Sequence, residues 1–99
     1  MRARTSWIIP SYLESLGWQP FGFYKENGRY YYFDDSGTER MTVADCVQAA
    51  RWTLEQGYSD AVDYSIDNPD SERNKTEIAE IELALRTLKE FAKEHHVKF

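Results

Sequence analysis

The stretch Trp18-Gln19-Pro20-Phe21-Gly22-Phe23-Tyr24-Lys25-Glu26-Asn27-Gly28-Arg29-Tyr30-Tyr31-Tyr32-Phe33 decides the fold, because it gathers eight of the chain's fifteen aromatic residues around one dipeptide. Aromatic residues favour strands, and Asn27-Gly28 supplies the two positive-φ positions that a type I′ turn demands. A tight β-hairpin follows. With Asn27 and Gly28 as its loop, the opposed pairs are Glu26 with Arg29, Lys25 with Tyr30, Tyr24 with Tyr31, Phe23 with Tyr32 and Gly22 with Phe33. Alternation sorts the rings into two sets: Tyr24, Tyr31 and Phe33 on one face, Phe21, Phe23, Tyr30 and Tyr32 on the other. Both faces want cover, and a chain of 99 residues covers one sheet face readily and two only with effort. One aromatic face is therefore a candidate for meeting a partner.

Downstream, Asp34-Asp35-Ser36-Gly37 reads as a second turn with Gly37 in the left-handed position, leading into a third strand from Thr38 to Met41. That turn puts Met41 on the Tyr24, Tyr31, Phe33 face, which is then expected to be the inner one. The Phe23, Tyr30, Tyr32 face, bordered by Lys25 and Arg40, is left to the N-terminal arm or to a partner. The arm occupies 1–17: Trp7-Ile8-Ile9, then a short helix from Pro10 through Tyr12, Leu13 and Leu16 that stops at Gly17. The meander occupies 18–41.

Thr42, with Asp45 three residues on, resembles a capping box and opens a helix over 42–57 that ends at Gly57. Val43, Cys46, Val47, Ala50 and Leu54 share one face of it, which makes that face core. Trp52 points the opposite way, among Asp45, Gln48 and Gln56. Either the C-terminal helix covers it or it anchors a partner. The first is expected, because the apolar stripe of the last helix must pack somewhere and an indole offers a large surface. Val62, Tyr64 and Ile66 alternate with Asp63, Ser65 and Asp67, the pattern of a strand over 61–67 and a candidate fourth member of the sheet.

The last element is a long helix over 69–96, with Ile78, Ile81, Leu85, Leu88 and Ala92 at 3-4 spacing and Ala84 and Phe91 widening the stripe. At 1.5 Å per residue, about 25 residues reach about 37 Å, whereas a compact domain of this length is roughly 33 Å across. The stripe is expected to outrun its own domain. A homodimer or partner contact through the end bearing Leu88, Phe91 and Ala92 follows from that. The fold class is α+β: a small antiparallel aromatic meander packed with an amphipathic helix and a long C-terminal helix, in one domain over 1–99.

A net charge of -5 with a pI near 5.0 argues against direct binding of nucleic acid or an anionic membrane. Cys46 is the only cysteine, which rules out an internal disulfide. No apolar run near the N-terminus is long enough for a signal or a membrane span, so a cytoplasmic location is expected.

Catalytic and metal chemistry find little to use. Cys46 could act as a nucleophile with His95 or His96 as base, but its place on an apolar helix face makes it a buried small hydrophobe. His95 and His96 diverge by about 100° on their helix and cannot grip one ion as an i, i+4 pair would. Asp60, Asp63, Asp67 and Asp70 form an acidic patch without the spacing of a calcium loop. There is no phosphate loop, nucleophile elbow or zinc spacing, so no catalytic residue, cofactor or metal is expected.

Residues Gly22 to Asp34, with Asn27-Gly28-Arg29-Tyr30-Tyr31-Tyr32-Phe33-Asp34 at their centre, resemble one copy of the choline-binding or glucan-binding repeats of bacterial surface proteins. Those repeats hold ligand between successive hairpins, and this chain has one copy of the pattern. From Gly17-Trp18 through Phe33 the same stretch is similar to a WW domain, which binds proline-rich peptides. Here Thr42 and Asp35 stand where the groove residues of that domain belong. Both resemblances imply a hairpin with aromatic strands, and neither implies a ligand for this chain.

The function expected is that of a non-catalytic protein-binding module, a small acidic inhibitor, immunity or phage anti-defence type protein that occupies a partner's surface. Phe23, Lys25, Tyr30, Tyr32, Arg40, Trp52, Leu88 and Phe91 are its candidate interface. Two alternatives use other features: an acidic mimic of nucleic acid built on Asp60, Asp63, Asp67 and Asp70, and an aromatic platform for a glycan or small molecule.

Overall fold

A computed structural model describes residues 4–99. Four strands form one antiparallel sheet in the order β1-β2-β3-β4: β1 Ser6–Ile8, β2 Gly22–Glu26, β3 Arg29–Asp34 and β4 Gly37–Met41. A one-turn helix, α1 Ser11–Ser15, links β1 to β2, and two long helices follow the sheet, α2 Val43–Asp67 and α3 Glu72–Glu94. Both long helices lie on the same side of the sheet.

The hairpin has the expected register, from Gly22 opposite Phe33 to Glu26 opposite Arg29, with Asn27 at φ 51° and Gly28 at φ 77°. The next turn differs. Asp34 pairs with Gly37 around a two-residue loop, Asp35-Ser36, and this places Met41 opposite Tyr30 rather than on the Tyr31 face. The Ser36 amide donates to the Asp34 carboxylate (2.8 Å), a side-chain turn that closes the loop at two residues. A one-residue change in loop length flips every side chain of β4 to the other face. The inner face is therefore Phe21, Phe23, Tyr30, Tyr32 and Met41, the reverse of the expectation, and Phe23 is fully buried against Phe91 of α3 (centroids 5.0 Å, edge to face).

The N-terminal arm supplies the fourth strand. Trp7 pairs with Phe23, stands beside it on the inner face and donates its indole N–H to the Thr87 hydroxyl of α3 (3.1 Å). Arg4 ties the same end to α3 through Glu94, 2.9 Å away. Pro10 begins α1 as expected, Leu13 is its buried residue, and Gly17 follows in the left-handed region at φ 107°.

The second correction concerns α2, which runs unbroken from Val43 to Asp67, so there is neither a helix end at Gly57 nor a strand over 61–67. Thr42 caps it as expected, accepting from the Asp45 amide (3.1 Å). Gly57 has another role: a Cβ there would fall inside the Trp18 ring, so glycine in mid-helix is what lets the indole lie against the helix backbone. Trp18 is held by its N–H donating to Glu77 of α3 (2.7 Å) and by stacking on Phe21 (6.3 Å). Beyond it, Ala61 is buried and its carbonyl accepts from the buried Asn74 amide of α3 (3.0 Å). Pairing with α3 thus overrides the two-residue alternation of Val62, Tyr64 and Ile66.

This helical hairpin also resolves the length mismatch. The molecule measures 46 × 29 × 19 Å, and α3 does not project alone because α2, at 25 residues, runs beside it. Ile81, Ala84, Leu88, Phe91 and Ala92 are all fully buried within the chain's own core. The end of α3 expected to dimerise is an interior surface. The C-terminal tail then folds back over α2, where Gln48 donates to the Lys98 carbonyl (3.0 Å) and the Arg51 guanidinium lies over the Phe99 ring (4.5 Å).

Candidate functional site

With both helices on one side, the other face of the sheet is open. It is built of two rows across the strands: Ile8, Gly22, Phe33 and Thr38 in one, Ser6, Tyr24, Tyr31 and Arg40 in the next. Tyr24 and Tyr31 pack ring against ring (5.7 Å, planes 25° apart) and Tyr24 also meets Phe33 (6.2 Å). All three are half-buried. Ile8 stands 54 % exposed beside them. Gly22 lets β1 lie close: a Cβ there would come within 2.6 Å of the Trp7 carbonyl and 2.8 Å of the Ile8 Cα, so β1 can approach β2 only over glycine. Arg40 at one end of its row and the Glu26 and Arg29 pair at the hairpin tip give this apolar patch a polar rim.

The residues expected to form an interface divide differently. Phe23, Tyr32, Leu88 and Phe91 are brought together, but in the interior. Tyr30 is half-buried against His95 (6.4 Å) and carries the Lys25 ammonium over its ring (5.8 Å). Arg40 lies on the open face, and Trp52 is 64 % exposed on the back of α2, so the expected cover by α3 is absent: α3 packs on the opposite side of that helix. Sequence reasoning missed Tyr24, Tyr31, Phe33 and Ile8 as surface residues. The signal that could have found them is the possibility of a two-residue Asp35-Ser36 loop, which alone decides the parity of Met41.

The acidic residues are rearranged as well. Because α2 continues, Asp60, Asp63 and Asp67 fall at 3-4 spacing on one helix face, with Asp70 in the turn beyond. No group of three His, Cys, Asp or Glu side chains among the described residues is placed to hold a metal ion. Cys46 is fully buried, and burial, reinforced by Asp45, pushes its thiol up to about 11, which makes it a poor nucleophile at neutral pH. The cleft of about 230 Å³ lined by Tyr64, Ser71, Arg73, Asn74 and Glu77 has its polar groups already engaged. Arg73 donates to the Leu16 carbonyl, Asn74 to Ala61, and Glu77 accepts from Trp18. None of the described helices is long and apolar enough to cross a membrane.

Comparison with protein-family models, with curated proteins and with solved structures finds no match.

Proposed function

We propose that this chain is a non-catalytic protein-binding module whose contact surface is the open face of its sheet. The observation that carries the reading is the Tyr24, Tyr31 and Phe33 cluster, three large rings that no helix or strand among the described residues covers. Aromatic anchors with a polar rim are the composition that dominates binding energy at protein interfaces. Three inter-strand spacings of about 4.8 Å by five residues of about 3.4 Å give a patch of roughly 250 Å². A stable complex buries roughly 800 Å² per partner, so this patch, which includes Ile8 and Arg40, is the centre of a footprint that extends beyond the sheet face. Acting by occupation of a surface, the protein fits the role of a small inhibitor or immunity protein. The platform for a glycan is less well supported, because one face of each tyrosine ring is already against its neighbour.

The acidic mimic has one observation in its favour, the alignment of Asp60, Asp63 and Asp67 along α2. Affinity capture from host lysate with paired variants separates the two readings. A protein retained by wild type and by the Asp60→Asn, Asp63→Asn, Asp67→Asn, Asp70→Asn variant, but lost with Tyr31→Ala, is the expected result. If no captured protein depends on Tyr31 and every one is lost with the asparagine variant, the acidic face replaces the sheet face.

A further inference from the structure

The back of α2 carries apolar side chains that the described residues leave exposed. Trp52, Val62 and Ile66 are exposed by 64 %, 38 % and 73 %. They belong to one 3-4 row, 52, 55, 59, 62 and 66, that drifts slowly around the helix and spans about 21 Å of its length. Such a row is the imprint of a helix-on-helix contact, with apolar knobs at both ends. Glu55 and the small Ser59 lie between them in the row. This is not the seam that packs on α3, which uses Val47, Ala50, Leu54 and Ala61 on the other side.

Charge says what kind of helix fits. α2 carries five acids, Asp45, Glu55, Asp60, Asp63 and Asp67, and one base, Arg51. Arg51 is engaged by Glu55 (3.3 Å) and by the Phe99 ring (4.5 Å). No ion pair among the described residues uses Asp60, Asp63 or Asp67. These three flank the half of the seam that ends at Ile66, where the C-terminus of α2 adds its own partial negative charge. A second copy of this chain would bring a helix with the same excess of five acids over one base against this one, which disfavours self-pairing along the seam.

We propose that the back of α2 binds a cationic amphipathic helix of a partner protein. Its apolar side rests on Trp52, Val62 and Ile66, and its lysines or arginines meet Asp60, Asp63 and Asp67. This surface is separate from the open sheet face, so the chain presents two contact surfaces and can bridge two partners.

The test uses a synthetic helical peptide of leucine and lysine with leucines at 3-4 spacing, a scrambled peptide of the same composition, and a leucine and glutamate counterpart. The patterned cationic peptide is expected to bind with amide shifts confined to α2, more weakly as salt rises. Trp52→Ala should weaken it about tenfold or more. Asp60→Lys, Asp63→Lys, Asp67→Lys should transfer the preference to the glutamate peptide. Trp52→Ala alone carries the test if that triple variant fails to fold. Tyr31→Ala should leave this binding unchanged, which separates it from the sheet-face reading. Equal binding of the scrambled peptide, indifference to Trp52→Ala, or shifts centred on the sheet would overturn the proposal.

Discussion

The two faces of the sheet are nearly equal as lists of residues and opposite in fate. On the inner face Trp7, Phe21, Phe23 and Tyr32 are buried under α2 and α3 with Tyr30 half-buried at the edge, whereas on the outer face Tyr24, Tyr31 and Phe33 with Ile8 have no described helix or strand over them. What separates them is the side on which the helices fall and what they find there. Inside, Phe91 meets Phe23 edge to face and the Thr53 hydroxyl of α2 lies 3.4 Å from the Tyr32 hydroxyl. Outside, Tyr24 packs on Tyr31 and Phe33, and Ile8 stands exposed beside them. Aromatic content thus marks surfaces that want cover without saying which one receives it.

The largest effect that would break this contrast is on stability. Phe23→Ala removes a ring from a closed core and should cost about 3–5 kcal/mol in urea unfolding. Tyr31→Ala removes a cross-strand neighbour from an open face and should cost about 0.2–1 kcal/mol. Similar losses for the two would mean that the faces are not distinguished as described.

Next in size is Gly57→Ala. In an ordinary helix interior this change stabilises by about 1 kcal/mol, but here the new methyl overlaps Trp18, so a net loss of about 1–3 kcal/mol is expected. In a Trp18→Ala background the sign should reverse. A stabilising Gly57→Ala in the wild-type chain would show that the indole is not seated on α2.

Inner burial also has a pH signature. The Cys46 thiol is raised from 9.0 to about 11, and burial pushes the Tyr30 and Tyr32 phenols up as well. For a group raised on folding, the stabilisation is complete below its unfolded value and is lost as pH rises through the folded one. Stability should therefore decline between pH 9 and about 11, less steeply in Cys46→Ala, with denaturant midpoints as the measure. Fast modification of Cys46 by a thiol reagent in the native protein at neutral pH would contradict its burial.

The smallest effect belongs to Trp52→Ala. With the indole 64 % exposed, stability should change by no more than about 0.5 kcal/mol, whereas a covered tryptophan would cost about 3–5 kcal/mol. Thermal unfolding decides between them.

By itself the sequence determined the local structure whose causes are local. Asn27-Gly28 specifies the hairpin and its register, because the turn demands positive φ at two adjacent residues and sets the pairing of everything beyond. Thr42 announces the start of α2, and the 3-4 stripe of α3 identifies every residue that it buries at the centre of the core, from Ile81 to Ala92. The tertiary structure alone decided the rest. Whether Met41 joins Tyr30 or Tyr31 depends on one residue of loop length, and the Asp34 side chain settles it by gripping the Ser36 amide. Whether Gly57 ends a helix or admits an aromatic ring depends on Trp18, thirty-nine positions away in the chain. Ala61 and Asn74 keep α2 helical where its own alternation suggests a strand, because the buried Asn74 amide of α3 must find a carbonyl and Ala61 of α2 supplies it. Which aromatic face is open to a partner follows from these long-range choices, and so the candidate site was legible as a pair of alternatives but not as one.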